Sequence, residues 1–311
     1  MQQIYRVASL RLASGNVLGR FGFRRQGASL ALLILLCLSS SLALASRVVT
    51  DEAGRRVTLP DHPHRIICLV PSVTDAVFAL GAGADVVAIS DYTKYPVAAL
   101  SKPSVGNPIH PSLEVLISLH PDLVLGIQTS SPIDSLLQIE RLGIPVYLVN
   151  PRGLDGLLRS VSSLGVALHR EDDATALVAS LKRRIAAVRT QTEGLPRPTV
   201  FMPIWYDPIM TIGKHAFITE IIAAAGGRSI TDDLTPEWPQ ISLEALIGRA
   251  PQALLLTRGG KTTLDVLKDK PGWAAVSAVQ HGRVFYADDR IEFASPVAID
   301  ALEDLSHQFH P

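Results

Sequence analysis

The sequence predicts an α/β protein of two lobes, each with a central, mainly parallel sheet covered by helices, the two joined by one long rigid helix. Three observations predict it. Short runs rich in Val, Ile and Leu alternate with helical patterns in both flanks of the chain, as strand–helix–strand units of parallel sheets do. The middle of the chain, 154–193, carries helical spacing throughout. The two flanks also repeat each other in step.

Taken in order, residues 1–45 stand apart. They hold Arg6, Arg11, Arg20, Arg24 and Arg25 with no acid, then an apolar run from Ala28 to Leu38 and a small-x-small end at Ala43-Leu44-Ala45. This is the pattern of an export signal, cleaved after Ala45. The run falls short of the roughly 20 apolar residues that a membrane span needs. Beyond the signal, 24 basic residues face 29 acidic ones, while the full chain of 311 residues is formally neutral. No basic field invites nucleic acid. Cys68 is the only cysteine past residue 45, which excludes an internal disulfide there. Its place in Ile66-Ile67-Cys68-Leu69-Val70 reads as a buried strand position.

The N-terminal lobe, 46–153, contains strand candidates at 66–70, 86–89, 122–126 and 145–149, with helices at 73–80 and 112–119. The connecting helical segment, 154–193, places Leu154, Leu157, Leu158, Val161, Leu164 and Leu168 on one face, then Leu177, Leu181, Ile185 and Val188 on another. Asp172 and Asp173 near the start of its second part, with Lys182, Arg183 and Arg184 toward its end, suit the helix dipole. Gly194 and Pro196 break the pattern. The C-terminal lobe, 194–311, resumes with strands at 199–204, 253–257 and 283–287.

The repeat is specific. Ser112, Leu113, Glu114, Leu116, Ile117 and Pro121 match Ser242, Leu243, Glu244, Leu246, Ile247 and Pro251 at an offset of 130. Thr74, Asp75, Val77 and Gly81 match Thr219, Glu220, Ile222 and Gly226 at an offset of 145. Two similar halves joined through a helix imply a cleft between them, where ligand sites are favoured. A helical connector resists bending, so the expected motion is a small closure.

Catalytic patterns are weak. Gly81-Ala82-Gly83 lacks the third glycine of a dinucleotide loop, Gly259-Gly260-Lys261 lacks the upstream glycine of a phosphate loop, and no Gly-x-Ser-x-Gly elbow occurs. The nine histidines show no His-Glu-x-x-His spacing. A bare metal ion held by His110, His215 and Asp289, or a metal-dependent enzyme on a two-lobed fold, stays open as an alternative. The reading favours a binding module without catalysis or a cofactor.

A resemblance sharpens this. The stretch Arg65–Asp75, the segment Ser90-Asp91-Tyr92-Thr93-Lys94-Tyr95-Pro96, Pro121-Asp122-Leu123-Val124-Leu125, Trp238-Pro239-Gln240-Ile241-Ser242-Leu243-Glu244 and Ala294-Ser295-Pro296 together resemble the helical-backbone periplasmic solute-binding proteins of ABC importers. The likeness is nearest to the vitamin B12-binding members, while iron-siderophore and haem binders share much of the pattern. It implies a monomer in the periplasm that binds a corrinoid or another large metal chelate and hands it to ABC permease subunits in the inner membrane. It implies ligand contacts from Tyr92, Trp205, Tyr206, Trp238 and Phe293, and permease docking by Glu114 and Glu244. The residues support the aromatic set independently. Aromatics make up only 5% of the chain, and Asp91-Tyr92-Thr93 and Trp205-Tyr206-Asp207 are not core-like runs. Rigid rings give a large planar ligand much contact at low entropic cost. One departure stands out: the loop Gly106-Asn107-Pro108-Ile109-His110 has no aromatic where B12-binding relatives often carry one.

Overall fold

Ile66, Ile67 and Cys68 are all fully buried, which requires a strand with packing on both faces. Their side chains alternate between two clusters. Ile66 and Cys68 join one, Ile67 the other. Leu123 and Leu125 fall on the first side and Val124 on the second; Tyr147 and Val149 on the first, Val146 and Leu148 on the second. In the other lobe Val200 and Leu255 belong to the first cluster, Phe201, Leu254 and Leu256 to a third. Each sheet therefore has an outer core of its own, while the inner faces of both sheets share a single core with the helices between them.

The computed structural model describes residues 46–129, 134–260 and 262–311. The export signal expected at 1–45 lies outside them. In order, the elements are β1 (Ser46–Thr50), β2 (Arg56–Pro60), β3 (Ile66–Cys68), α1 (Pro71–Ala79), β4 (Val86–Ala88), α2 (Leu113–Ser118), β5 (Leu123–Ile127), α3 (Asp134–Arg141), β6 (Val146–Val149), α4 (Gly153–Leu168) and α5 (Glu171–Thr192). There follow β7 (Thr199–Phe201), β8 (Pro203–Tyr206), β9 (Ile209–Thr211), α6 (Phe217–Ala224), β10 (Arg228–Ser229), α7 (Leu243–Arg249), β11 (Ala253–Thr257), α8 (Leu264–Lys268), α9 (Ser277–Gln280), β12 (Val284–Ala287) and α10 (Ala298–Phe309).

The two main sheets have the same topology. Their strand orders are β4-β3-β5-β6 and β10-β7-β11-β12, all pairs parallel. Local details repeat with them. Ser112 and Ser242 cap α2 and α7 by accepting the Val115 and Ala245 N–H groups at 3.4 and 3.2 Å. His120 and Ala250, 130 residues apart, both adopt left-handed backbone (φ 46° and 44°) just before β5 and β11. Gly81 and Gly226, which end α1 and α6, do so as well, at φ 76° and 86°.

The 145-residue repeat has a further consequence. Asp75 on α1 accepts the Val297 N–H, 3.0 Å away, at the start of α10. Its counterpart Glu220 on α6 accepts the Leu154 N–H, 2.8 Å away, at the start of α4. Each lobe thus supplies an acid to the orphan amides of the helix that follows the other lobe's last strand.

Two expectations are corrected in detail. The connecting segment is two helices, because His169 (φ 57°) ends α4 and Arg170 turns the chain into α5. The 22-residue α5 is the long one. The strand expected at 199–204 breaks at Met202, and β8 leaves the sheet to pair antiparallel with β9. Ahead of the N-terminal sheet, β1 and β2 form an unforeseen antiparallel hairpin. Among the described residues, no helix is long and apolar enough to cross a membrane.

Candidate functional site

In parallel sheets, ligands gather beyond the carboxyl ends of the strands. The cleft lies there in both halves. One cavity, of about 460 Å³, is lined by Val70, Pro71 and Ser72 after β3, by Asp91, Tyr92 and Lys94 after β4, and by Ile127 at the end of β5, with Phe293 beneath. A second, of about 210 Å³, is lined by Met202–Trp205 after β7, Leu256 and Thr257 at the end of β11, and Thr262. Glu292 lines both, so the two are compartments of one cleft.

Tyr92 is 57% exposed, and its hydroxyl accepts a hydrogen bond from Asn107 Nδ2 at 3.4 Å. The loop without an aromatic thus holds the ring that the first lobe contributes. Trp205 is 42% exposed; its indole N–H donates to the Asp207 carbonyl at 2.7 Å and its ring stacks on Tyr206, centroids 5.2 Å apart. Tyr206 itself lines neither compartment. It is half-buried against the outer core of the second lobe, with Lys270 Nζ 4.4 Å above its ring. Trp238 is exposed on the strip 237–241 beside β9 and also lines neither compartment. The structure therefore brings Tyr92, Trp205 and Phe293 to the cleft, places Tyr206 behind Trp205, and leaves Trp238 to one side.

Sequence reasoning did not foresee the charges among these rings. Lys94 from the first lobe pairs with Asp289 from the second, Nζ to Oδ2 3.5 Å, across the cleft. Asp289 also accepts the Gly259 N–H at 2.7 Å. Glu292 is exposed in the open cleft, yet partial desolvation by its walls pushes its carboxyl above the usual range, Lys94 opposing and Asp289 adding to the rise. Lys94 stood within the Ser90–Pro96 segment and Glu292 beside Phe293, but a pairing between lobes leaves no spacing to read. His110, His215 and Asp289 do not form a donor group among the described residues.

A family model described as "Periplasmic binding protein" matches residues 66–291. The chain belongs to this periplasmic binding protein family. A substrate-binding lipoprotein of an ABC transporter from Bacillus subtilis, YvrC, is 30% identical over 271 residues, 85% of each chain. The vitamin B12-binding protein of Vibrio cholerae is 26% identical over 248 residues, covering 79% of this chain and 89% of that one. The solved apo structure of a periplasmic haem-binding protein, RhuT from Roseiflexus sp. RS-1, superposes with a TM-score of 0.72 at 29% identity over 79% of this chain and 98% of its own. Membership of the family accounts for the doubled sheets and for a cleft at the strand ends.

Proposed function

We propose that this chain is the periplasmic substrate-binding protein of an ABC importer, and that it captures a large, planar, near-neutral metal chelate, best matched by a corrinoid. The observation that carries the reading is the cleft's pairing of aromatic walls with acidic charge. Tyr92 and Trp205 belong to different lobes, with Phe293 below. Around them stand Asp91, Asp289 and Glu292; among the described residues that line the cleft, Lys94 is the basic one, and Asp289 already engages it. Haem carries two carboxylates, which such a rim would leave poorly paired; leaving a buried charge without a partner is costly. A corrin rimmed by neutral amides has donors for those acids and a flat face for the rings. Haem remains the second reading, since RhuT, a haem binder, shares the fold at 29% identity.

Titration of the protein with cyanocobalamin, haemin and a ferric hydroxamate chelate tests this, read by calorimetry and by absorbance-corrected tryptophan fluorescence. One equivalent of cyanocobalamin is expected to bind, more tightly than haemin. Tyr92→Ala and Trp205→Ala are each expected to weaken binding at least tenfold, about 1.4 kcal/mol. Unchanged affinity in both variants would refute the site, and tighter haemin binding would refute the ligand class.

A further inference from the structure

On the far side of the first lobe from the cleft, two chain segments 108 residues apart bring three metal-ligating side chains together. Asp61 and His62 follow β2, and His169 ends α4. Each of the three offers one donor atom, and these donors lie within 4.8 Å of one another. Asp61 Oδ2 is 3.7 Å from His62 Nε2, and Asp61 Oδ1 is 3.3 Å from His169 Nδ1. The imidazole rings lie face against face, centroids 4.3 Å apart and planes tilted by 34°. A tetrahedral ion bound through bonds of about 2.0–2.1 Å sets its donors about 3.4 Å apart. The two carboxylate-to-imidazole separations bracket that length; both rings are exposed, and His169 Nδ1 also lies 3.2 Å from the Asp61 carbonyl oxygen, a contact that ligation through Nδ1 replaces.

We propose that Asp61, His62 and His169 form a binding site for one divalent transition-metal ion of the zinc class. Two imidazoles and one carboxylate select zinc, nickel, cobalt or copper over calcium and magnesium, which prefer all-oxygen sets. Solvent fills the remaining positions, since His62 and His169 are both exposed. Arg47 is the opposing charge: its Nε lies 3.7 Å from Asp61 Oδ1, while its Nη2 donates to the Ala167 carbonyl at 3.0 Å. That second bond anchors the guanidinium to α4, while Nε, buried and without a hydrogen-bond partner, stays beside Asp61 and competes with the ion for its charge. The bound ion clips the segment after the β1–β2 hairpin to the junction of α4 and α5. The site is independent of the cleft, because α4 runs 16 residues, about 24 Å, from the strand ends to His169.

The test is a cobalt titration of the protein without a polyhistidine tag, read by visible absorbance and by zinc competition, with thermal unfolding as the second readout. One ion per chain is expected, with a midpoint that zinc raises. His62→Ala and His169→Gly are each expected to lose at least tenfold in affinity; glycine is chosen because it adopts the φ of 57° at that position freely. His64→Ala, whose imidazole pairs with Asp85 at 3.2 Å instead, is expected to bind as the parent does. Absence of saturable one-to-one uptake, a midpoint that zinc leaves unmoved, or unaltered binding in both of the first two variants overturns the proposal.

Discussion

Asp75 is a carboxylate in an almost closed environment, 8% exposed, at the seam between the lobes. Burial raises its pKa above the ordinary value, against the Val297 N–H and the Ser295 hydroxyl, which lower it. Its charge is therefore a cost at neutral pH, while its hydrogen bond to the start of α10 is a gain. The two separate by substitution. Asp75→Ala leaves the Val297 amide without its partner and is expected to cost about 1–3 kcal/mol in urea unfolding at pH 7. Asp75→Asn keeps an acceptor and removes the desolvated charge, so its loss is expected to be smaller. The sign with pH follows from the raised value: between the unfolded and folded pKa the native state binds more protons. The parent should then gain stability over Asp75→Asn as pH falls through the folded pKa, and level off below the unfolded one. Equal losses for the two variants at pH 7, or a difference flat with pH, would count against the cap. Residues of this kind were half legible. The Asp75/Glu220 match could be seen as a repeat, but its partners, Val297 and Leu154, are 222 and 66 residues away and leave no local pattern. The cleft aromatics were legible because an aromatic in a polar loop is conspicuous. The Lys94–Asp289 pair was not, because charged residues are common in loops.

Among elements, α5 ties the connection to the second lobe through charge as well as packing. Arg184 donates from Nε and Nη2 to the two oxygens of Glu303 on α10, at 2.7 and 2.6 Å, and from Nη2 to Asp300 at 2.6 Å. The Arg184 guanidinium holds the Glu303 carboxyl below the usual range. A depressed acid stabilises the fold above its unfolded pKa, and that contribution is lost as pH falls through the folded value. Glu303→Gln is expected to cost up to about 1 kcal/mol at pH 7, since the pair is about one-third exposed. The gap to the parent should close as the pH is lowered past the depressed value; a gap that persists in acid would assign the effect to packing. At this scale the sequence predicted most of the elements. β11 lies where its apolar run stands, 253–257, and β5 within one residue of its run. The misses have local causes. Val70 and Pro71 end β3 early, because the proline opens α1. Pro203, with no N–H to donate, starts β8 where a continuous strand was expected. His169 breaks the connecting segment in a left-handed turn usually filled by glycine, so no glycine marked it.

At the scale of the whole molecule, the shared inner core changes the argument about motion and delivery. Stiffness was expected from a helical rod; the structure adds a continuous apolar core in which Leu157 and Val161 of α4 join Ile218 and Ile222 of α6 and Ile299 and Leu302 of α10. Separating the lobes would expose that core, so closure on a ligand is limited to small adjustments around the cleft. A frame this rigid holds Glu114 and Glu244 in a fixed relation whether or not the cleft is filled. Each is exposed in the first turn of its helix, with an exposed isoleucine, Ile117 or Ile247, three residues on. The Glu244 carboxyl is kept below the usual range by its own backbone N–H first and the Ser242 hydroxyl second, so it stays charged. We propose that these two like patches, related by the internal repeat, are the surface that docks on the importer's permease, where exposed charge sets orientation and association rate. Reversal of charge at both positions, Glu114→Arg with Glu244→Arg, is expected to leave ligand affinity unchanged. The same double variant should reduce stimulation of the importer's ATPase at least tenfold in reconstituted membranes, and each single variant should fall between. Full stimulation by the double variant would move the docking surface elsewhere on the molecule, whereas a loss of ligand affinity would mean that the two ends of the frame are coupled after all.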